Sequence, residues 1–350
     1  MRNPVLQVRD LAVHFRADAG GWLRHDYRTV RAVDGIDFEV FPAETLGIVG
    51  ESGCGKSTLA RALLGLQRPK RGEIIWLGED LAQMSEEQFR RKRREIQLIF
   101  QDPQGSLDPR MTIGVIIAEP LRTFYPSMSR LQVRERVTGI MKLVGLRSDQ
   151  INRYPHEFSG GQCQRVGIAR ALVVNPRLVV CDEPVSALDV SIQAQIVNLL
   201  KDLQKKLQLS LIFIAHDLSI VRHVSDRVLV MYMGKVMELA DREQIYHEPR
   251  HPYTRALIES VPIPDPVAER ARARRALAGD IPSPLDPPSG CVFRTRCPYA
   301  TQRCSDEVPE LETLEGGHRV ACHHHRELPP PNLPGTGPAL SDETGKSAKS

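Results

Sequence analysis

The chain has 350 residues, a length that suggests about two domains, and 41% of them are hydrophobic, enough for a sizeable core. Its formal net charge of +4 is small and gives no strong reason to expect nucleic acid as a partner. It contains no apolar run of about 18 residues and no apolar N-terminal segment, so we predict neither a membrane span nor a signal peptide. We therefore expect a protein of the cytoplasm.

Short apolar runs separated by polar turns predict strands in the first fifty residues. The runs begin at Val5, Leu11 and Ile36, and a polar excursion at residues 16–29 separates the second run from the third. A further apolar run at residues 45–49 predicts a buried strand. The segment that follows this strand carries the strongest motif in the chain.

Residues 50–58 read Gly-Glu-Ser-Gly-Cys-Gly-Lys-Ser-Thr and fit the phosphate-binding loop pattern G-x-x-x-x-G-K-[ST]. The predicted strand before this loop and a predicted helix after it are the context that the motif requires. Glycines in such a loop let backbone N–H groups surround a polyphosphate, and the helix N-terminus adds further donors. We therefore predict that the chain binds a nucleoside triphosphate. The predicted contacts are Gly50, Ser52, Gly53, Cys54, Gly55, Lys56, Ser57 and Thr58.

The middle of the chain predicts a strand, a helical region and a second glycine motif. Gln101 follows the predicted strand and is placed to reach Mg²⁺ or the attacking water. Helical periodicity continues to residue 175, and Phe158–Gln162 precede a helix that we expect to begin near Gln164. A second anion cradle indicates that two chains, arranged head to tail, close over each nucleotide. The predicted contacts of this cradle are Ser159, Gly160, Gly161 and Gln162.

Two later apolar runs predict central parallel strands, and each of them ends in residues suited to hydrolysis. Asp182 is expected to hold Mg²⁺ beside the Ser57 hydroxyl. Glu183 is placed to orient or deprotonate the attacking water, and His216 to contact the γ-phosphate. The predicted catalytic residues are therefore Glu183, His216 and Gln101, and the predicted Mg²⁺ ligands are Ser57, Gln101 and Asp182.

Four of the seven cysteines lie close together near the C-terminus, at Cys291, Cys297, Cys304 and Cys322. In a reducing compartment such a group indicates a metal site before disulfides. The spacing contains no close pair of the kind that zinc sites usually show, and it differs from the compact ferredoxin run. From the residues, an iron–sulfur cluster, zinc and free thiols or disulfides all remain open, and one of the following histidines (323–325) is a possible zinc ligand.

Taken in order, these motifs resemble those of the nucleotide-binding subunits of ABC transporters. The matching segments are Walker A at Gly50–Thr58, the Q-loop at Gln101, the signature at Phe158–Gln162, Walker B at Cys181–Glu183, the D-loop at Ser186–Asp189 and the switch histidine His216. The likeness covers residues 4 to about 325. Further segments at 99–110, 154–165, 251–257 and 290–298 are similar to the oligopeptide and dipeptide importers, and most of all to the F-type ATP-binding subunit of an oligopeptide permease.

The resemblance implies an α/β fold, an ABC-type P-loop nucleotide-binding domain with a mixed sheet core and a helical signature subdomain. Counting back 23 positions from Gly50 reaches Tyr27, which the family pattern would stack on adenine. The resemblance also implies a [4Fe–4S] centre at the four cysteines, with zinc as the alternative. The expected divisions are an ATP-binding domain at 4–260 with its helical subdomain at 102–175, a Pro-rich linker at 261–289, a Cys-rich extension at 290–325 and a disordered tail at 326–350.

The implied function is ATP hydrolysis that powers the import of oligopeptides or dipeptides, at the cytoplasmic face of the inner membrane. The implied partners are a second, non-identical ATP-binding subunit, two membrane permease subunits and an extracytoplasmic peptide-binding protein, with no nucleic acid. One alternative is the ATPase of an importer of nickel or another small solute. Others are a soluble ABC ATPase acting on nucleic acid, and a zinc-based nucleic-acid binder helped by the basic patch at 269–275.

Overall fold

The structure, a computed structural model, describes residues 3–18, 27–261 and 279–330. The strands in these ranges are β1 (Leu6–Asp18), β2 (Tyr27–Val40), β3 (Thr45–Val49), β4 (Arg71–Trp76), β5 (Glu79–Asp80), β6 (Ile96–Ile99), β7 (Leu178–Asp182), β8 (Ser210–Ala215), β9 (Arg227–Tyr232), β10 (Lys235–Asp241), β11 (Glu312–Thr313) and β12 (Arg319–Val320). The α-helices are α1 (Lys56–Leu63), α2 (Glu86–Lys92), α3 (Ile113–Phe124), α4 (Arg130–Leu143), α5 (Gly160–Leu172), α6 (Val190–Leu207), α7 (Leu218–Val224), α8 (Arg242–His247), α9 (Pro252–Ser260) and α10 (Gln302–Asp306).

The described strands form two sheets. The smaller sheet is antiparallel and has the order β2-β1-β4-β5. The larger, eight-stranded sheet has the order β11-β12-β10-β9-β3-β8-β7-β6, and its part from β9 to β6 is parallel. Antiparallel pairs at the other end make it a mixed sheet, which is the α/β core expected from the sequence.

The central strands are apolar throughout because both faces of the sheet are covered. Successive residues of β7 alternate between two hydrophobic clusters, with Val179 in one and Val180 in the other. In β8, Phe213 belongs to the first cluster and Ile212 to the second. This period of two is that of a strand buried between layers, and it fixes the register of the parallel core.

Helices α3, α4 and α5 follow β6 and precede β7 in the sequence, and they pack against one another. Capping boxes open α2 and α4, formed by Ser85 with Gln88 and by Ser129 with Gln132. Helix α5 begins at Gly160, four residues before the expected start at Gln164. The difference arises because Ser159 is itself the N-cap, so the glycines belong to the first helical turn.

The N-terminal strands are longer than the apolar runs indicated. β1 continues through the polar pair Arg9 and Asp10, where register shifts interrupt its pairing with β2. Asp10 has a φ of 42°, and the register shifts here indicate a β-bulge. A bulge leaves its extra residues unpaired without ending the strand. The β1–β2 pairing extends to the Asp18–Tyr27 pair, so the described ends of the expected polar excursion, 16–18 and 27–29, are strand.

The C-terminal residues join the large sheet at its edge. β12 pairs with β10, and the fully buried Glu238 of β10 accepts hydrogen bonds from the backbone N–H groups of Arg250 (2.6 Å) and His251 (3.0 Å). The Nε2 atom of His318 lies 2.7 Å from the same carboxylate. Much of the predicted linker, the basic patch and most of the predicted tail lie outside the described residues. None of the described helices has both the length and the apolar character needed to cross a membrane.

Ile212 provides a test of the packing of the central sheet. Ile212→Ala removes a fully buried side chain from β8, and we expect the free energy of unfolding to fall by about 3 kcal/mol through lost burial and a residual cavity. Urea unfolding of the full chain, followed by tryptophan fluorescence, measures this change. The control Leu131→Ala alters a side chain that is 67% exposed on α4 and should change stability by less than about 0.5 kcal/mol. Equal effects in the two variants would contradict the packing argument.

Candidate active site

The motifs meet because β3, β8 and β7 are adjacent parallel strands. The phosphate-binding loop follows β3, Asp182 ends β7 with Glu183 directly after it, and His216 follows β8. Parallel strands end at the same edge of a sheet, and ligands of such sheets bind outside the carboxyl ends of the strands. Residues far apart along the chain therefore converge on one site.

The phosphate-binding loop needs glycine at the point where helix α1 begins. Gly55 has a φ of 105°, and a Cβ atom there would lie 2.0 Å from the carbonyl oxygen of Ala32 in β2. Any side chain would collide with that strand, so only glycine allows this close approach. The loop consequently turns directly into α1, whose first residue is Lys56.

Lys56 is buried inside the loop, with only 4% of its side chain exposed. Its ammonium group donates hydrogen bonds to the carbonyl oxygens of Gly50 (2.7 Å) and Glu51 (3.1 Å), and lies 3.9 Å from a carboxylate oxygen of Glu183. A compact cation held between loop carbonyls and a carboxylate is well placed to bind an incoming polyphosphate.

Ser57 and Asp182 form the pair that could hold a metal ion. The Ser57 hydroxyl donates a 2.9 Å hydrogen bond to an Asp182 carboxylate oxygen, although 125 positions separate the two residues. Burial raises the pKa of the Asp182 carboxyl, and the hydrogen bond from Ser57 opposes that rise. A hydroxyl beside a carboxylate offers the oxygen ligands that Mg²⁺ prefers, so the residues present fit this ion.

Glu183 is the centre of the remaining contacts. Gln101 Nε2 donates a 3.0 Å hydrogen bond to its carboxylate, and His216 Nδ1 lies 3.8 Å from the same oxygen. The backbone of Glu183 has a φ of 46°, a left-handed conformation that non-glycine residues rarely adopt. Its N–H donates to the carbonyl oxygen of Ile214, which holds the strained residue against β8. All three predicted catalytic side chains therefore meet at one carboxylate.

The second glycine motif caps α5 and packs against the segment after Walker B. Ser159 and Gln162 satisfy each other's backbone donors, as in a capping box. A Cβ atom on Gly161 would lie 2.6 Å from Ile192 of α6, so glycine is required for this contact. Among the described residues, no hydrogen bond links Ser159–Gln162 to the phosphate-binding loop of the same chain.

Tyr27 lies at the far end of β2. It pairs with Asp18, and its side chain is 65% exposed. Ala32, the β2 residue that lies against the phosphate-binding loop, is five residues further along the strand, which corresponds to about 17 Å. Phe15 pairs with Val30, only two residues from Ala32, and is 38% exposed. A cavity of about 440 Å³ extends from Ser52–Cys54 to Val30. Phe15 is thus an aromatic candidate for adenine that sequence reasoning missed, and strand register is the signal that identifies it.

The four C-terminal cysteines lie in one neighbourhood as free thiols. Burial raises the pKa of Cys297 to about 11, and the nearby thiols of Cys291 and Cys304 contribute to the rise. Burial likewise raises the pKa of Cys322 to about 12, with contributions from the other three cysteines. Each of the three following histidines has a hydrogen-bond partner within the same region. These partners are the Glu307 carbonyl oxygen, the Thr301 hydroxyl and the Cys322 carbonyl oxygen.

The sequence predicts a [4Fe–4S] centre or zinc at these cysteines, but the described side chains do not form a ready-made metal site. In the part of the chain that the structure describes, no three Cys, His, Asp or Glu side chains are arranged to hold a metal ion. Metal ligands must be thiolates, so binding would require proton release and closer approach of the sulfur atoms.

Comparison with protein families gives two matches within the chain. Residues 33–186, which include the phosphate-binding loop and Walker B, match the ABC transporter family. Residues 237–304, which include three of the four clustered cysteines, match the C-terminal region of oligopeptide/dipeptide transporters.

Curated relatives are similar over almost their whole length. The oligopeptide transport ATP-binding protein OppF of Escherichia coli is 58% identical over 324 residues, which are 92% of this chain and 96% of that protein. A putative oligopeptide transport ATP-binding protein of Bacillus subtilis is 52% identical over 328 residues, with 93% and 97% covered.

Solved structures agree on the fold. A dimeric ATP-binding cassette in a post-hydrolysis state with ADP and phosphate has a TM-score of 0.60 at 26% identity, covering 68% of this chain and 98% of that one. The structure of cbiO1 from Clostridium perfringens, part of an ABC transporter complex, has a TM-score of 0.60 at 27% identity, covering 70% and 92%. These similarities confirm the ABC-type fold and the resemblance seen in the sequence. The chain belongs to the ABC transporter family and, within it, to the oligopeptide transport ATP-binding proteins.

Proposed function

We propose that this chain hydrolyses ATP and that the cycle of binding and hydrolysis powers the import of oligopeptides through a membrane permease. The observation that carries the proposal is the meeting of Lys56, the Ser57–Asp182 pair and Glu183 at the end of the parallel strands. The peptide substrate is supported by relatives that are oligopeptide transport ATP-binding proteins and by the match of residues 237–304.

The chemistry follows from the groups around Glu183. When ATP binds, Lys56 exchanges its carbonyl partners for phosphate oxygens, and backbone N–H groups of the loop and of α1 donate to the phosphates. Mg²⁺ held by Ser57, Asp182 and Gln101 would neutralise phosphate charge. Glu183 then accepts a proton from the attacking water, while Gln101 and His216 orient that carboxylate and the terminal phosphate.

We propose that a second, non-identical ATP-binding subunit completes each site. Ser159–Gln162 form an anion cradle with no hydrogen bond to the phosphate-binding loop of their own chain among the described residues, which supports its use by a partner. ATP between two such chains links them, and loss of the γ-phosphate removes the link. The similarity to a cassette that is itself dimeric supports this arrangement.

Two permease subunits and an extracytoplasmic peptide-binding protein are the further partners that we propose, with this chain peripheral to the cytoplasmic face of the inner membrane. A cavity of about 300 Å³ beside β6, lined by residues that include Leu66, Phe100 and Phe124, supports a permease contact here. Leu66 and Phe100 are 56% and 45% exposed, and two exposed large apolar side chains that line one groove are typical of a protein–protein contact. Phe100 of this groove directly precedes Gln101 in the chain, so a permease contact here would reach the catalytic carboxylate through one side chain.

For the Cys-rich region we propose a bound [4Fe–4S] cluster, with zinc as the alternative. The convergence of Cys291, Cys297, Cys304 and Cys322 as free thiols supports this assignment, although their present arrangement is not that of a metal site. No step of ATP hydrolysis depends on such a group.

Glu183→Gln tests the catalytic assignment. The amide keeps the size of the side chain but cannot accept a proton, so we expect ATP hydrolysis to fall by a factor of about 100 or more, and ATP binding to persist. The variant should accumulate a closed, ATP-bound dimer with its partner subunit, measurable by size-exclusion chromatography. Glu87→Gln, at an exposed position on α2, serves as the matched control. Normal turnover by Glu183→Gln would exclude the proposed role.

Alanine substitutions of Phe15 and Tyr27 test which aromatic side chain contacts adenine. Base–aromatic stacking contributes roughly 1–3 kcal/mol, so Phe15→Ala should weaken ATP binding about tenfold. Tyr27→Ala, at the far end of the same strand pair, should leave the affinity within about twofold. Titration of each variant with a fluorescent ATP analogue gives the two dissociation constants. The reverse ranking would show that Tyr27 is the adenine contact.

Metal analysis after anaerobic purification tests the Cys-rich region. A [4Fe–4S] cluster predicts about four irons and four acid-labile sulfides per chain, together with visible absorption. Cys297→Ser should remove them, whereas Cys163→Ser, at a buried cysteine of α5, should not. Zinc without iron would establish the alternative, and a metal-free chain with full ATPase activity would exclude both.

A further inference from the structure

The Cys-rich region reaches the phosphate-binding loop through one arginine. Arg296, the residue before Cys297, donates two hydrogen bonds to the Glu51 carboxylate, at 2.6 and 3.0 Å. The Arg296 side chain is only 6% exposed, and its guanidinium carbon lies 5.9 Å from the ring centre of Tyr232. The Glu51 side chain is 22% exposed, and a partly buried, bidentate pair of this kind has a defined geometry, unlike an exposed surface pair.

Glu51 is held through all of its polar groups. Its N–H donates a 3.0 Å hydrogen bond to the Tyr253 hydroxyl, and its carbonyl oxygen accepts one from Lys56 at 3.1 Å. Its carboxylate is the group bound by Arg296. Two of these three partners, Tyr253 and Arg296, belong to the C-terminal third of the chain. These two residues therefore hold the second residue of the loop from outside the loop, while Lys56 holds it from within.

Arg296 is in turn held by the turn that begins at Cys291. The Arg296 N–H donates to the carbonyl oxygen of Phe293, and the Arg294 N–H donates to that of Cys291. The fully buried Phe293 packs against Tyr232 and Tyr253, with ring centres 5.3 and 5.2 Å apart. Since this turn is closely packed, a change of position at the flanking cysteines must move Arg296.

We propose that Arg296 is a positioning residue through which the Cys-rich region sets the affinity of the phosphate-binding loop for ATP. The inference rests on the proposed ATPase function. Phosphate binding needs the loop N–H groups to point inward together, and the Arg296–Glu51 pair holds the loop in one conformation. If the pair is broken, the loop spends only part of its time in that conformation, and the apparent affinity falls by the same fraction.

A double-mutant cycle on the full-length chain tests the proposal. Arg296→Gln and Glu51→Gln should each raise the dissociation constant of a fluorescent ATP analogue about tenfold. The double variant should raise it by no more than either single variant, because both changes break one pair. In the assembled transporter, Arg296→Gln should raise KM for ATP by a similar factor and change kcat less than about twofold.

Two further variants separate positioning from a general effect on folding. Arg296→Lys keeps the charge but loses the bidentate geometry, so we expect an intermediate loss of affinity. Arg303→Gln breaks an exposed pair with Glu307 in the same region and should leave ATP affinity unchanged. A purely structural role for Arg296 would lower the melting temperature and leave the ATP affinity of the folded fraction unchanged. Either that outcome or additive effects of the two Gln substitutions would overturn the proposal.

Lys56→Ala in the same assay distinguishes a failure of the Arg296 coupling from a failure of the proposed ATPase function. Loss of ATP binding in Lys56→Ala, together with normal binding in Arg296→Gln, would reject the coupling alone. Unchanged ATP binding in Lys56→Ala would instead reject the assignment of the phosphate-binding loop, on which the proposed function rests.

Discussion

The parallel pairing of β3, β8 and β7 is the constraint on which the rest of the structure depends. Neighbouring strands lie roughly 4.8 Å apart, so segments that follow their carboxyl ends are brought within side-chain reach. Ser57 and Asp182 contact each other at 2.9 Å only because this register aligns the two strand ends. A slip of one residue in β7 would exchange the faces of Val179 and Val180 and separate the pair.

The charges of the site are arranged so that each has a partner before the nucleotide arrives. Lys56 is bound to loop carbonyls, Asp182 to a hydroxyl and Glu183 to an amide. These hydrogen-bond partners are neutral groups that ATP, Mg²⁺ or water can replace, while the Lys56–Glu183 ion pair lies at 3.9 Å. Preorganisation of this kind places donors and acceptors correctly at the start of the reaction. The strained backbone of Glu183 belongs to the same design, because it directs the carboxylate toward the loop.

Local patterns predicted the loop, the order of the motifs and the alternation of strands and helices, because each depends on a few neighbouring residues. Contacts between distant segments were not predictable in this way. The Arg296–Glu51 pair joins residues 245 positions apart, and neither residue carries a pattern that names the other. The assignment of Tyr27 to adenine by counting back from Gly50 assumes that the β1–β2 hairpin has a fixed length. The observed strand pairing instead places Phe15 nearer the phosphate-binding loop than Tyr27. The two-residue strand β12 is too short for any periodicity to reveal.

The attachment of β12 to β10 bears on the order in which the chain folds during its synthesis. The ribosome releases β10 about 80 residues before His318, the partner of its buried carboxylate, becomes available. Until then Glu238 lacks that partner, and the edge of the large sheet has unpaired backbone groups. The eight-stranded sheet of the ATP-binding core is therefore complete only after the residues of β12 have been synthesised. Nascent chains that stop before residue 318 should remain substrates for chaperones and proteases, so the cell would retain mainly full-length ATPase subunits.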